Sequence, residues 1–154
     1  MLTLDSGLTM RALSPNNVVT EFYKCIPLIE KFLKRSEGES DLMSISKSVY
    51  EGYFQCWMIE EEGELVGVCI TKVDRWVSYS ALHIIGLGAK PGYWKIFRDA
   101  HKYLERLARE WDCDRLSVWT NRGWVRLFDN KGFTGEHGEV YKKKYEILHM
   151  KLNK

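Results

Sequence analysis

The sequence predicts a mixed α/β (α+β) fold in which a single sheet carries helices on both faces. Segments with apolar residues at helical spacing alternate with short runs rich in β-branched residues, and residues 81–119 have the pattern of a strand–helix–strand unit. Hydrophobic residues make up 45% of the chain and charged residues 29%, which is typical of a globular protein and excludes a disordered or coiled-coil chain. The length of 154 residues is that of one ordinary domain, so we expect residues 1–154 to form a single domain.

Charge and cysteine usage narrow the class of partner. The chain has 23 Lys and Arg against 21 Asp and Glu, and this net charge of +2 does not favour nucleic acid as the main partner. The four cysteines lack the spacing of a metal site, and Cys69 falls in an apolar run typical of a buried position. The first residues do not have the pattern of a signal peptide, and no apolar stretch approaches the roughly 20 residues of a membrane span. We therefore expect a cytoplasmic protein with no membrane or metal as partner.

The first third of the chain predicts one strand and two helical regions. Residues 9–13 form a short strand, after which Ser14-Pro15 has the sequence of an N-cap followed by proline at the first helical position. The apolar residues that mark one face of the first helix are Val18, Val19, Phe22, Tyr23 and Ile26. Pro27 must kink or end this helix, and residues 28–33 continue it. A second helical pattern covers residues 41–53.

An antiparallel hairpin follows these helices. Residues 56–59 and 64–73 are its strands, and Glu62-Gly63 is the turn between them. A loop over residues 74–79 leads to a further strand over residues 81–85. Its continuous apolar run is typical of a strand that is covered on both faces.

The strongest helical pattern begins near Tyr93, after a glycine-rich bend over residues 86–92. The apolar stripe of this helix ends at Trp111, and Glu105 faces Arg109 at i,i+4. Three further elements are expected: a strand over residues 116–119, a short helix over residues 124–130 and a final strand over residues 148–152. Because a helix connects them, the strands over residues 81–85 and 116–119 are expected to be parallel.

The carboxyl ends of parallel strands are where open α/β sheets bind their ligands. In this chain they place a candidate site at residues 85–92 and at Thr120-Asn121-Arg122. The glycine-rich bend opens a helix, whose free N–H groups and dipole can hold a phosphate group. A strand-to-helix bend requires glycines in any case, so a purely structural role is the alternative.

One stretch of the C-terminal half carries a family motif. Asn121, Trp124, Phe128 and Gly132-Phe133 have the spacing N-x-x-W-x-x-x-F-x-x-x-G-F. Together with the order of elements, this motif resembles the GNAT superfamily of acyl-CoA-dependent acetyltransferases, in which N-x-x-A-x-x-x-Y-x-x-x-G-F is common. Within that superfamily the chain is most similar to small GNAT-like proteins of tailed bacteriophages.

The resemblance implies a GNAT-like fold and an N-acetyltransferase activity. The fold would be a single mixed sheet of six to seven strands with helices on both faces. The activity would move an acetyl group from acetyl-CoA, as co-substrate, to an amine of a small molecule or a protein. A phage-encoded enzyme of this kind would act in the host cytoplasm.

Two positions depart from the family pattern. The family binds the CoA pyrophosphate with Q/R-x-x-G-x-G/A, whereas this chain has Ala89-x-x-Gly92-x-Trp94, with an indole where the backbone should approach phosphate. Side-chain charge from Lys90 and Arg122 can compensate for the lost Q/R. Phe128 stands where the family often has a tyrosine that protonates the departing thiolate. Because a thiol with a pKa of about 8.5 is a tolerable leaving group, this change slows transfer rather than preventing it.

The resemblance also implies roles for particular residues. The backbone around residues 84–87 would hold the pantetheine arm, and an N–H group there would stabilise the developing oxyanion. The residues implied in cofactor binding are Ile85, Gly86, Leu87, Gly88, Lys90, Gly92, Asn121 and Arg122. His83 is the candidate for the base that takes the proton from the attacking amine, because imidazole titrates near neutral pH. The alternatives are that His83 is a packed histidine on a buried strand, and that a carboxylate of residues 60–62 serves as the base.

A second class of function stays open, in which the chain is a GNAT-fold protein that has lost catalysis and acts by binding. The two departures from the family pattern favour this non-catalytic class. Examples of such a binding protein are a phage structural (virion) protein and a host-interaction protein. Trp76 and Trp94, both in or beside loops, are the candidates for contact with a protein partner. Trp57, Trp111 and Trp119 lie on patterned elements, which favours core positions.

Overall fold

Strands that follow one another along the chain are also neighbours in the sheet. The computed structural model describes residues 2–4, 7–34, 41–93, 96–118, 135–141, 150 and 152. Within these residues one sheet contains β1 (Leu2–Thr3), β2 (Thr9–Ala12), β3 (Phe54–Glu61), β4 (Glu64–Arg75), β5 (Ser80–Ala89) and β6 (Arg115–Val118). Neighbouring strands are antiparallel except for β5 and β6, whose parallel pairing confirms the prediction. β1 has only 2 residues, so the longer strands β2 to β6 form the body of the sheet.

Helices cover both faces of this sheet, which confirms the predicted mixed α/β fold. One face carries α1 (Val18–Glu21), a 3₁₀ turn (Phe22–Cys25), α2 (Ile26–Leu33) and α3 (Leu42–Tyr50), and the other carries α4 (Ile96–Glu110). Two apolar cores result, one on each face. The core under α4 includes Met10, Trp57, Cys69, Leu82 and Leu104, and the core under α1 to α3 includes Phe22, Ile29, Ile45, Met58 and Ile70. The predicted total of six to seven strands stays a prediction, because the expected final strand lies largely outside the described residues.

The predicted start of the first helix is wrong by several residues. Ser14 forms a turn instead, in which its N–H donates to Oδ1 of Asn17 over 2.7 Å and its carbonyl accepts from the N–H of Val18 over 2.9 Å. The predicted apolar face is also too wide, because Val19 and Tyr23 are exposed. The break at Pro27 is confirmed, since that proline lies in the first turn of α2.

The second helix begins where the sequence predicts and ends earlier. Oδ1 of Asp41 accepts the N–H of Ser44 over 2.7 Å and caps the start of α3. The predicted extension to residue 53 is wrong because Gly52 adopts a φ of +81° and reverses the chain. Its N–H donates to the carbonyl of Val49, and the N–H of Tyr53 donates to the carbonyl of Ser48, which is a Schellman ending.

The β3–β4 hairpin and helix α4 agree with the elements predicted from the sequence. Residues 62 and 63 connect β3 and β4 with positive φ angles of 49° and 82°, which suits a tight hairpin turn. In α4 the predicted i,i+4 pair is present, with Nη2 of Arg109 at 2.7 Å from Oε2 of Glu105. The predicted core positions of Trp57 and Cys69 are confirmed, because both side chains are buried. All four cysteines are free thiols.

Candidate active site

A β-bulge interrupts the sheet at the carboxyl-terminal half of β5. Thr71 of β4 pairs with Ile84, whereas the preceding residue, Ile70, pairs with Gly86, so Ile85 is left without a partner across this ladder. On its other side β5 pairs with β6 through residues 81–84, so the bulge follows directly after the last of these pairs. A bulge bends its strand and releases backbone groups from the ladder, and bulges are over-represented next to active sites.

The predicted base, His83, lies in β5 and is in contact with the carboxylate of Asp74. The His83 side chain is only 7% exposed, and its Nε2 lies 3.0 Å from Oδ2 of Asp74. The same oxygen lies 3.1 Å from Nζ of Lys72, which pairs with His83 across the two strands. The sequence predicts Asp74 in a loop, and this is wrong because β4 continues to Arg75. Lys72 and Asp74 were therefore not among the site residues predicted from the sequence. The alternation of polar Lys72 and Asp74 with apolar Val73 could have indicated that β4 extends to these residues.

An aromatic turn, formed by residues 76–79 between β4 and β5, lies against His83. The Trp76 ring packs edge-on to the His83 ring at 5.5 Å and lies 4.8 Å from the Tyr79 ring. The guanidinium of Arg115 lies 3.7 Å above the Tyr79 ring, a cation–π contact that ties the turn to β6. Trp76 is 48% exposed, so its indole is accessible to a ligand or a partner.

The predicted glycine-rich bend over residues 86–92 is wrong for its first four residues, because residues 86–89 belong to strand β5. β5 ends at Ala89, and the glycines within it leave room for helix α2 to pack closely against the strand. A Cβ on Gly86 would lie 2.6 Å from Cζ of Phe32, and one on Gly88 would lie 2.9 Å from the carbonyl carbon of Leu28. These glycines are therefore required by the close approach of α2. That requirement accounts for Gly86 and Gly88 without a phosphate ligand.

The actual turn between β5 and α4 is short and begins at Lys90. The N–H of Tyr93 donates to the carbonyl of Lys90 over 3.1 Å, and Gly92 has a φ of +87° that suits a tight turn. Nζ of Lys90 forms an ion pair with Oε1 of Glu64 over 2.5 Å, and this contact lowers the pKa of Glu64. The hydroxyl of Tyr93 donates to Oε1 of Glu61 over 2.8 Å, which raises the pKa of Tyr93. The predicted anion site thus has acidic neighbours that the sequence did not indicate.

The other predicted site residues are distributed along and beyond β5. Ile85 and Leu87 are half-buried and contribute to opposite cores. The carboxylate of Glu60 is in contact with Arg11 over 2.7 Å, which corresponds to a structural ion pair. The family motif, the positions Asn121 and Arg122 and the residues Trp94, Trp119 and Phe128 lie outside the described residues.

The part of the chain that the structure describes contains no group of three or more His, Cys, Asp or Glu side chains that could hold a metal ion. None of its helices combines the length and apolar composition that crossing a bilayer requires.

Solved structures of acetyltransferases share this fold. An aminoglycoside acetyltransferase from an uncultured soil metagenomic sample, in complex with trehalose, has 15% sequence identity and a TM-score of 0.69, with 97% of this chain and 99% of that chain covered. The ribosomal-protein-alanine N-acetyltransferase of Brucella melitensis biovar Abortus 2308 has 12% identity and a TM-score of 0.69, with 94% and 99% covered. A possible acetyltransferase of Clostridium difficile 630 has 13% identity and a TM-score of 0.65, with 96% and 99% covered. No curated protein matches the sequence significantly.

These structures define the class of fold, and the sequence itself gives the family. The chain belongs to the Acetyltransferase (GNAT) family, whose sequence profile matches residues 26–133. This match includes β3 to β6 and α4, and therefore the bulge, His83 and the turn that begins at Lys90.

Proposed function

We propose that this protein, as a single domain over residues 1–154, is an N-acetyltransferase that moves an acetyl group from acetyl-CoA to an amine. The β-bulge at Ile85 is the observation that carries the proposal. It frees backbone groups of β5 from the β4 ladder within two residues of a histidine that contacts a carboxylate. Family membership supplies the class of reaction, and the chemistry at this position requires both a backbone donor and a base.

The residues of β5 fit a thioester co-substrate. Acetyl-CoA supplies an activated acetyl group together with a pantetheine arm that carries amides. Backbone groups of Ile85, Gly86 and Leu87 would bind these amides, and one N–H would stabilise the negative charge that develops on the acetyl oxygen. Further along the strand, Gly88 keeps α2 close to this backbone.

His83 would accept the proton that the attacking ammonium must lose. Imidazole is suited to this task near neutral pH, and a general base contributes typically 10²–10⁴-fold to the rate. Substitution of His83 by glutamine keeps a polar side chain of similar size but removes the base. We therefore expect His83→Gln to lower kcat by about 10²-fold or more, with little change in affinity for acetyl-CoA.

Lys90, Gly92, Asn121 and Arg122 would hold the phosphate groups. The short turn at Lys90 precedes α4, so its backbone N–H groups and the lysine ammonium can face an anion. Lys90 must then exchange its contact with Glu64 for a contact with phosphate. A weak but salt-dependent affinity for acetyl-CoA is the expected result.

The acceptor would be an amine of a small molecule or of a protein, and two probes represent these classes. Structures of this fold include an aminoglycoside acetyltransferase and a ribosomal-protein-alanine N-acetyltransferase. The same aminoglycoside acetyltransferase has also been solved in complex with sisomicin, so sisomicin and a peptide with an N-terminal alanine are the amines to test first. The exposed Trp76 next to His83 is the surface that an acceptor would meet.

Two measurements test the proposal. Calorimetric titration of acetyl-CoA should show binding, and release of free thiol should depend on the presence of sisomicin or the peptide. Lys47→Ala on the outer surface of α3 provides a control that should leave both results unchanged. Absence of heat with millimolar acetyl-CoA, free CoA and longer acyl-CoAs would overturn the enzyme proposal.

The second candidate is a GNAT-fold protein that acts by binding a protein partner, as a phage virion or host-interaction protein would. The exposure of Trp76 and the pairing of Lys90 with Glu64 favour it. In that case Trp76→Ala weakens partner binding, whereas Lys90→Ala has no effect on any measured affinity. Trp94→Ala would show the same loss if its indole is part of that surface.

A further inference from the structure

We propose that Lys31 of α2 binds the pyrophosphate of acetyl-CoA at the end of β5. This inference rests on the proposed function, because acetyl-CoA is the co-substrate of that reaction. It adds a cation from a distant part of the chain to the phosphate-binding residues that were predicted from the sequence.

The Lys31 side chain reaches the end of β5 from helix α2. Its Nζ donates a hydrogen bond to the carbonyl of Ala89 over 3.1 Å. The N–H of the next residue, Lys90, donates to the carbonyl of Val66 in β4 over 2.9 Å. Because the backbone groups of successive residues in a strand point to opposite edges, the carbonyl of Ala89 points away from β4. Lys31 therefore contacts the edge of β5 that faces away from β4.

That edge of β5 is open beyond the bulge. Among the described residues β6 pairs with β5 only through residues 81–84, and none of the described strands pairs with this edge over residues 85–89. An extended ligand can bind the backbone groups here, as described above for the pantetheine amides. Along acetyl-CoA the pyrophosphate follows pantetheine, so it would come next, beside Ala89 and the ammonium of Lys31.

The charge of Lys31 is available to an anion. A lysine ammonium has three N–H donors, and the contact with Ala89 uses one of them. Among the described residues this neutral carbonyl is the partner of Lys31, and no carboxylate forms an ion pair with it. Lys90, by contrast, already forms an ion pair with Glu64. At the end of β5, Lys31 is therefore the cation that does not have to leave an acidic neighbour before it binds phosphate.

The packing of α2 on β5 fixes the backbone position of Lys31. The helix approaches so closely that a Cβ added at Gly88 would meet Leu28, and one added at Gly86 would meet Phe32. Lys31 lies three positions after Leu28 and directly before Phe32, within the packed part of the helix. Only the side chain of Lys31 then has to be ordered when a phosphate group binds, which limits the entropic cost.

Three ligands that share the acetylated arm test the inference: acetyl-CoA, its 3′-dephospho form and acetylpantetheine, which has no phosphate group. Binding is measured by NMR titration of the backbone amides, which also detects weak affinity. Lys31→Met should lower the affinity for the first two ligands by about fivefold to tenfold and leave that for acetylpantetheine unchanged, because only a phosphate contact is lost. The loss should shrink at high salt, and Lys31→Arg, which keeps the charge, should bind within about twofold of the wild type. Lys31→Gln is measured in parallel as a second uncharged variant.

The control and the contrary outcomes separate a phosphate contact from a structural role. Lys47→Met removes one charge from the exposed side of α3 and should keep the wild-type affinities. An equal loss for all three ligands would mean that Lys31 only holds α2 in place, and unchanged affinities would mean that it does not meet a phosphate group; either result overturns the inference. A loss confined to acetyl-CoA would assign Lys31 to the 3′-phosphate and also overturns it. These three results leave the proposed function intact, whereas a wild-type protein that binds none of the ligands rejects both proposals.

Discussion

The ammonium group of Lys90 and the carboxylate of Glu64 form an ion pair across the turn between β5 and α4. The Glu64 side chain is largely exposed and that of Lys90 is partly exposed, so this pair contributes little to stability. Its importance lies in its position, because Lys90 is one of the two cations predicted to bind the CoA phosphates. An acidic neighbour that holds this cation competes with a phosphate ligand.

The first prediction concerns this competition. Glu64→Gln should raise the affinity for acetyl-CoA by up to about fivefold, since it frees Lys90, whereas Lys90→Ala should lower the affinity. Both effects should shrink at high salt, because screened charges interact weakly. Calorimetry at low and high ionic strength provides the measurement, with Lys47→Ala as the control. Equal affinities in all these proteins would show that Lys90 does not contact the phosphates.

The second prediction compares the stability cost of alanine at Gly86 and at Gly88, the two glycines against which α2 packs closely. An added Cβ at Gly88 meets the backbone of Leu28, which cannot move, whereas one at Gly86 meets the ring of Phe32, which can shift. Gly88→Ala should therefore lower the free energy of unfolding by about 3 kcal/mol and Gly86→Ala by about 1 kcal/mol. Urea unfolding of both variants measures this difference. The reverse order would mean that α2 can move away from β5.

The third prediction concerns a buried polar network. The indole N–H of Trp57 donates to the hydroxyl of Thr71, which donates to Oε1 of Gln55, each over 2.9 Å. Thr71→Val leaves both partners unsatisfied and should cost about 2–3 kcal/mol of unfolding free energy. Thr71→Ser keeps the hydroxyl and should cost only about 1 kcal/mol. Unfolding curves of the two variants that coincide would contradict a role for this network.

The fourth prediction is a pH dependence of stability. Burial lowers the pKa of His101 from 6.5 to about 4, although the Glu105 carboxylate acts in the opposite direction. Between these two pKa values the unfolded chain binds more protons than the folded chain. The contribution of His101 to the free energy of unfolding is therefore fully present above pH 6.5 and is lost as the pH falls toward 4.

The comparison with a substituted protein isolates this contribution. Between pH 7 and about 4.5 the wild-type protein should lose roughly 2 kcal/mol more than His101→Gln does, measured by urea unfolding. Replacement of the exposed His137 by glutamine is the matched control and should follow the wild type. An identical pH dependence in His101→Gln would show that His101 is not responsible for the loss.

The sequence by itself determined the local elements and their order. The turn sequence Glu62-Gly63 between an apolar run and a run rich in β-branched residues identified the β3–β4 hairpin, and helical spacing of apolar residues identified α4. Pro27 and Asp41 marked helix boundaries through backbone chemistry that acts within a few residues. The family motif gave the class of protein, which the profile match over residues 26–133 confirmed.

Only the tertiary structure decided what surrounds the site. The sequence predicted that Gly86 and Gly88 belong to a bend that can hold a phosphate group, whereas the approach of α2, more than fifty positions earlier in the chain, is what requires them. In the same way, the contact between Asp74 and His83 depends on the register of two strands, and the pair of Lys90 with Glu64 depends on where a turn meets a hairpin. Local patterns carry no information about such partners, because they report which face of an element is buried and not which residue will lie opposite.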